Sequence, residues 1–252
     1  MKILVISDIH ANLPALQQLE SYAKQADRIL CLGDTVGYNA FPNECIDWLQ
    51  DHDAECVKGN HDQAALDEKT EWFHDAAALA IGWTRKELTK KSRKFLQDLP
   101  LQIRMEHEGV NLLAVHGSPR DPLHEYVFPD DLVDVPDSVD ILAVGHTHLP
   151  FIRKQTSENG RKNTSKKTGQ KSAASTKPSQ NAPASGKTIT IFNPGSVGQP
   201  RDGDARASFA WLKLPEMKIN LQRMKYPVEE TARANQDAGL PDSLSERLFA
   251  GR

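Results

Sequence analysis

Residues 2–16 read KILVISDIHANLPAL. An apolar run at 3–6 stops at Ser7-Asp8, and after a short polar link Pro14 opens a stretch whose apolar residues recur at helical spacing to residue 24. The same grammar returns twice. RILCL (28–32) ends at Gly33-Asp34, PNECIDWLQDH (42–52) has a helix-opening proline, and AECVK (54–58) ends at Gly59-Asn60-His61-Asp62. Strand, helix, strand, helix, strand in that order predicts an α/β sheet of parallel strands with helical crossovers. In such sheets ligands bind beyond the carboxyl ends of the strands. Each of these strands places polar residues there.

Further along, 62–98 is rich in helix formers, and 101–117 alternates, turns near Gly109 and ends at His116. DILAVGHTH (140–148) is an apolar run ending in His146 and His148, and TITIFNPGS (188–196) ends at Asn193-Pro194-Gly195. Residues 206–226 predict a hairpin broken at 214–216. The tail, 228–252, predicts two short helices divided at 239–241.

The bulk properties set limits. Of 252 residues, 38% are apolar and 26% charged, and no apolar run approaches the ~18 residues of a membrane span. With no secretion signal at the start, a cytoplasmic protein is expected. Three cysteines (Cys31, Cys45, Cys56) without CxxC spacing suit buried thiols in a reducing compartment. The net charge of −3 is uneven: residues 153–187 hold nine Lys or Arg against Glu158, leaving 22 basic and 33 acidic residues elsewhere. An acidic body argues against a general nucleic-acid surface. One domain spanning 1–252 is expected, with 154–187 as a basic, low-complexity, disordered insertion between strands near 150–153 and 188–192. That insertion is a spacer or a polyanion-binding arm.

Five of the nine histidines fall at strand ends, alongside carboxylates and one amide: Asp8 and His10; Asp34; Asn60, His61 and Asp62; His116; His146 and His148. Mixed oxygen and nitrogen donors suit Mn²⁺, Fe or Zn²⁺ better than Ca²⁺. On an extended segment, Asp-x-His and His-x-His would each turn both side chains to one face. His52, His74, His107 and His124 lie elsewhere and read as solvated or structural.

These motifs, in this order, resemble the calcineurin-like metallophosphoesterases. The resemblance rests on Asp8-Ile9-His10, Gly33-Asp34, Gly59-Asn60-His61-Asp62, His116 and Gly145-His146-Thr147-His148. NPGSVGQPRDG (193–203) and SDIHANLPAL at the start are similar to the small-phosphodiesterase and diadenosine-tetraphosphatase-like branch. The resemblance implies a four-layer αββα sandwich of two mixed sheets flanked by helices. It implies two divalent ions (manganese first; iron, zinc or nickel next), with Asp8, His10 and His148 on one, Asn60, His116 and His146 on the other, and Asp34 shared. It also implies hydrolysis of a phosphodiester or (di)nucleotide-type ester by hydroxide held between the metals. His61 would be the general acid, its ring oriented by Asp62 or Asp8. Asn12 and Arg201 are weaker candidates for substrate phosphate, and Asn12 reads equally as a loop cap before Pro14. Tyr38 is a candidate cleft residue, and the four tryptophans read as packing residues. A non-catalytic scaffold and a phosphoprotein phosphatase are the alternatives. No membrane partner is expected, and a homo-oligomer is compatible with the sequence.

Overall fold

The computed structural model describes residues 1–67, 69–156 and 186–252. The first sheet is built from β1 (Lys2–Ile6), β2 (Arg28–Cys31), β3 (Glu55–Cys56), β9 (Ala207–Lys213) and β10 (Lys218–Met224), in the order β10-β9-β1-β2-β3. β1, β2 and β3 run parallel, and β9 and β10 join antiparallel. The second sheet has the order β4-β5-β6-β8-β7, from β4 (Gln102–His107), β5 (Val110–Val115), β6 (Ile141–Ala143), β7 (Phe151–Thr156) and β8 (Thr188–Asn193). β5, β6 and β8 are parallel, while β4 and β7 pair antiparallel at the edges. The helices are α1 (Leu13–Gln17), α2 (Glu20–Ala23), α3 (Pro42–Asp51), α4 (Asn60–Asp67), α5 (Asp75–Glu87), α6 (Lys90–Asp98), α7 (Val228–Asp237) and α8 (Asp242–Ala250). This is the α/β architecture expected, two mixed five-stranded sheets flanked by helices.

Alternation of side chains explains why β1 is apolar from Ile3 to Ile6. Ile3 and Val5 face inward with Leu30 and Leu32 and meet Leu112, Ile141 and Phe192 of the second sheet. Leu4 and Ile6 face the other way and pack with Leu16, Leu19, Cys45 and Leu49 under α1 and α3. A strand covered on both faces reads as a continuous apolar run. The outer face of the second sheet (Leu113, Val115, Leu142, Val144) is covered by Val127, Val135 and Val139 of the segment after β5. Cys31, Cys45 and Cys56 are buried free thiols.

Some elements differ from the sequence pattern. The helix expected over 14–24 is two, α1 and α2, because Leu19 N turns back to Leu16 O in a tight i−3 bond. The strand expected at 54–58 keeps ladder pairing only at Glu55 and Cys56; Lys58 N bonds Pro100 O instead. β7 continues through Lys154, Gln155 and Thr156, and Thr156 pairs with Thr188. The disorder and polyanion contact expected of the insertion concern residues 157–185, which lie outside those described. Among the described residues, no helix is long and apolar enough to cross a membrane.

Candidate metal centre

The polar residues after β1, β2, β3, β5 and β6 converge where the two sheets meet. Their backbone is not extended. Asp8, His10, Asp34, His146 and His148 have φ of 53°, 48°, 54°, 67° and 61°, in the left-handed region that residues other than glycine seldom adopt. The shared face of Asp8 and His10, and of His146 and His148, therefore comes from sharp turns rather than from strand alternation. Neighbouring loops hold those turns: Asp8 N, His10 N and Ala11 N donate to the carbonyls of Gly33, Asp34 and Thr35. Such backbone strain persists where surrounding structure over-determines it.

His10, His116 and His148 each direct Nδ1 at a backbone carbonyl, of Val36, Leu32 and Gln199 respectively. A carbonyl can only accept, so each Nδ1 carries a proton, and in the neutral rings of His10 and His148 Nε2 is a bare acceptor. Yet His10 Nε2 lies 3.1 Å from His148 Nε2, and His148 Nε2 lies 3.4 Å from Asp8 Oδ1. Beside them, His116 Nε2 lies 3.0 Å from Asn60 Oδ1, 3.1 Å from His146 Nδ1 and 3.4 Å from Asp34 Oδ2. The same Asp34 Oδ2 is 3.6 Å from His10 Nε2, so one oxygen stands between the two groups. Asp34 Oδ1 is already used, accepting His61 N at 2.9 Å. Acceptors aimed at acceptors repel unless a cation lies among them, and this donor set fits divalent metal ions. Asp8 with His10 and His148, and Asp34 with His116 and His146, are each close enough to share one ion.

Burial dominates the protonation of these groups. It raises the Asp8 carboxyl to about 7 against the pull of His116, and it holds His10 and His148 well below the usual imidazole value. Burial would lower His116 too, but the Asp34 carboxylate outweighs it and raises the ring to about 9. Asp8 Oδ2 is buried without a partner.

His61 begins α4 and packs edge-on against His10 and Phe73 and obliquely against Tyr38, at 4.7, 4.8 and 4.5 Å between ring centroids. Its buried Nδ1 has no hydrogen-bond partner. Gly37, at φ +92°, leaves room for the ring; a Cβ there would lie 2.5 Å from Nδ1. Burial lowers His61 to about 4, with Asp34 pulling the other way; a phosphate in the cavity would add to that pull.

Asp62 corrects an expectation. Its carboxylate accepts Val36 N at 3.1 Å and Gly59 N at 2.9 Å, so it ties the loop after β3 to the loop after β2 and does not orient the His61 ring. Asn12 takes the loop-cap alternative of its two readings. Its amide donates to Gly198 O and Tyr226 Oη, and its oxygen accepts Ala15 N and Thr231 Oγ1. Every polar atom of the buried side chain is engaged in capping and cross-linking, which leaves none for phosphate. Asn193 and Ser196 also fix loops, bonding Gly145 O and Asp8 O.

A cavity of about 630 Å³ opens beside the cluster, with Asp34, Asn60, His61, His146 and His148 in its wall. Arg201 and Tyr38 line it, as the sequence suggested for both. The sequence reading missed His74, His124, Tyr126 and Arg247, which complete it with Phe73 and Trp72. Trp72, expected to pack, is 89% exposed at the rim. His74 caps α5 by accepting Ala77 N, and the Tyr126 ring stacks on His146 with centroids 3.9 Å apart. His52 stacks on Trp48 and His107 ends β4, both outside the cavity.

A fold of two mixed sheets with a mixed oxygen and nitrogen donor cluster at the strand ends defines a metallophosphoesterase-type protein. Residues 1–217 match the calcineurin-like phosphoesterase superfamily domain, and the chain belongs to that superfamily. An uncharacterized protein of Methanocaldococcus jannaschii is 38% identical over 254 residues, covering 99% of this chain and 98% of its own. The crystal structure of a metallophosphoesterase from Sphaerobacter thermophilus is 35% identical, with TM-score 0.73 and full coverage of both chains. A hypothetical protein from Pyrococcus horikoshii OT3 shares the fold, with TM-score 0.77 at 18% identity, over 100% of this chain and 98% of its own.

Proposed function

We propose that this chain is a divalent-metal phosphoesterase that hydrolyses a phosphodiester or nucleotide-type ester. Asp8, His10, Asp34 and His148 would hold one cation, and Asp34, Asn60, His116 and His146 would hold a second. The observation that carries this reading is the 3.1 Å approach of two imidazole nitrogens, His10 Nε2 and His148 Nε2, whose protons are committed elsewhere. Bound cations, with manganese best suited to this donor set, supply acidified water and a clamp on the phosphoryl oxygens.

The chain's own residues do the rest. Backbone amides fix the carboxylates: His146 N donates to Asp8 Oδ1 at 3.2 Å, and His61 N to Asp34 Oδ1. Backbone carbonyls set the tautomers of three imidazoles. The His61 ring, on the cavity wall and neutral while the cavity is empty, takes up a proton as substrate phosphate enters and holds it for the leaving oxygen. As the bond from water oxygen to phosphorus forms, the ester P–O bond breaks, the leaving oxygen takes that proton, and the ring regains one from the consumed water.

The test is His61→Ala, assayed on bis-p-nitrophenyl phosphate, p-nitrophenyl phosphate and diadenosine tetraphosphate with Mn²⁺ while metal content is measured. Turnover should fall by about 10²-fold or more with metals retained, the scale of one general acid. Wild-type turnover in that variant would remove His61 from the chemistry. No hydrolysis of any substrate by the metal-loaded wild type would favour a non-catalytic scaffold.

A further inference from the structure

The cavity beside the metal ligands contains a feature that cleaving a simple monoester does not require. Arg201 and Arg247 both reach its wall, and Arg201 Nη2 donates to the Tyr38 hydroxyl at 3.2 Å. Among the described residues, neither guanidinium has an Asp or Glu oxygen within ion-pair distance, whereas Arg28, Arg120, Arg206 and Arg223 are each paired with one. The partners that remain are few. Arg201 Nη2 also donates to Gln199 Oε1 at 2.9 Å, while its Nε is buried and unbonded. Arg247 Nε donates to Arg252 O at 2.8 Å. Two cations on one cavity wall, partly out of water and without an Asp or Glu side chain beside them, repel each other. The arrangement suits an anion, and the fork of a guanidinium matches phosphate oxygens.

Placement says which anion. Arg201 follows by two residues the Gln199 carbonyl that sets His148, so the pair lies next to the metal ligands rather than among them. Arg247 comes from α8, beyond the residues 1–217 that match the superfamily domain. The same cavity is lined by aromatic rings: Phe73 beside His61, Tyr126 stacked on His146, and the exposed Trp72 at the rim.

We infer that Arg201, Arg247 and the Tyr38 hydroxyl form a second phosphate subsite, which holds a phosphate group of the substrate next to the one that is cleaved. Arg247 is the specificity-determining residue of that subsite. The substrate class is then an organic polyphosphate whose aromatic group rests on the rim, as in a nucleotide carrying two or more phosphates. This rests on the phosphoesterase reading of the adjacent metal cluster, so the test has one arm that needs no hydrolysis.

In that arm, calorimetry compares pyrophosphate with inorganic phosphate binding to the chelator-treated full chain. Wild type should bind pyrophosphate at least about tenfold more tightly, the scale of one charge-assisted contact. Arg247→Gln should lose that preference, and Arg247→Lys should keep part of it. In the second arm, with Mn²⁺, the ratio of kcat/KM for diadenosine tetraphosphate to that for p-nitrophenyl phosphate should fall at least about tenfold in Arg247→Gln, chiefly through KM. Equal binding of the two anions by wild type overturns the subsite whether or not any variant folds. An equal loss on both substrates overturns the assignment of Arg247. A pyrophosphate preference in a chain that hydrolyses nothing would uphold the subsite while sinking the phosphoesterase reading.

Discussion

Replacing Gly59 with alanine tests whether backbone packing, and not ligand identity alone, places Asp34. A Cβ on residue 59 would lie 2.0 Å from Asp34 Oδ1, 2.3 Å from Asp34 N and 2.7 Å from Asp34 Cγ. Ordinary contact begins at 3.4 Å, so the two loops would have to part by about 1.4 Å at the carboxylate oxygen. Neither loop is free to yield. Gly59 N is held by Asp62 Oδ2, Asp34 Oδ1 by His61 N, and Asp34 O by His10 N. Overpacking of this kind costs about 1–3 kcal/mol, and a shift of about 1 Å near reacting groups costs on the order of 10²-fold in rate. Urea unfolding, elemental analysis and turnover of bis-p-nitrophenyl phosphate with Mn²⁺ read the three consequences. The variant should fold, lose about 1–3 kcal/mol of stability, take up less metal and turn over about 10²-fold more slowly. A Gly59→Ala protein with native metal content and native turnover would refute the claim that this close approach positions the shared carboxylate.

Other outcomes follow from the same contacts. Asn12→Ala should cost about 1–3 kcal/mol in urea unfolding, since it strands buried partners, while KM for bis-p-nitrophenyl phosphate keeps its wild-type value; a raised KM with unchanged stability would return Asn12 to the substrate site. Adding Mn²⁺ to chelator-treated protein should raise the unfolding midpoint, with a gain in stability of about 2.7 kcal/mol at a hundred times the dissociation constant, and His148→Ala should shrink that shift; a midpoint indifferent to Mn²⁺ would contradict the metal assignment. The hydrogen bond from Arg206 holds the Asp204 carboxyl down to about 2. A folded-state value below the unfolded one means its stabilising contribution is complete above the unfolded value and fades as pH falls toward 2. Comparing Asp204→Asn with wild type in urea at pH 6 and at successively lower pH should therefore show a gap that narrows on acidification; a constant gap would exclude this linkage.

The sheet strands and the donor cluster were legible because each depends on short-range grammar. β1, β2 and β6 are apolar runs with a polar stop, and the polar stop is the site. What the sequence hid depends on distant partners. The left-handed turns at Asp8 and His10 carry no residue signature, since no glycine marks them; bonds between the loops after β1 and β2 hold them. Asp62 looked like a partner for its neighbour His61, but its carboxylate reaches across to Val36 in another loop. The cavity wall comes from residues 72–74, residues 124 and 126, and α8. Only the topology brings these three together, and a tryptophan at a rim reads in sequence like one in a core. Arg247 has a helical spacing that says only that it shares a face with its neighbours on α8. Its meaning depends on Arg201 and Tyr38, which lie far away along the chain.

The position of β1 has a consequence for biosynthesis. Leu4 is flanked by Ile29 on one side and by Trp211 on the other. The strand that delivers Asp8 and His10 is translated first, yet half of its ladder does not exist until β9 has left the ribosome. Until then β1 presents a bare edge, aliphatic from Ile3 to Ile6. The nascent polypeptide must therefore carry an unfinished, sticky sheet through most of its synthesis, and the paired strand beneath Asp8 and His10 can be completed only near the end of translation.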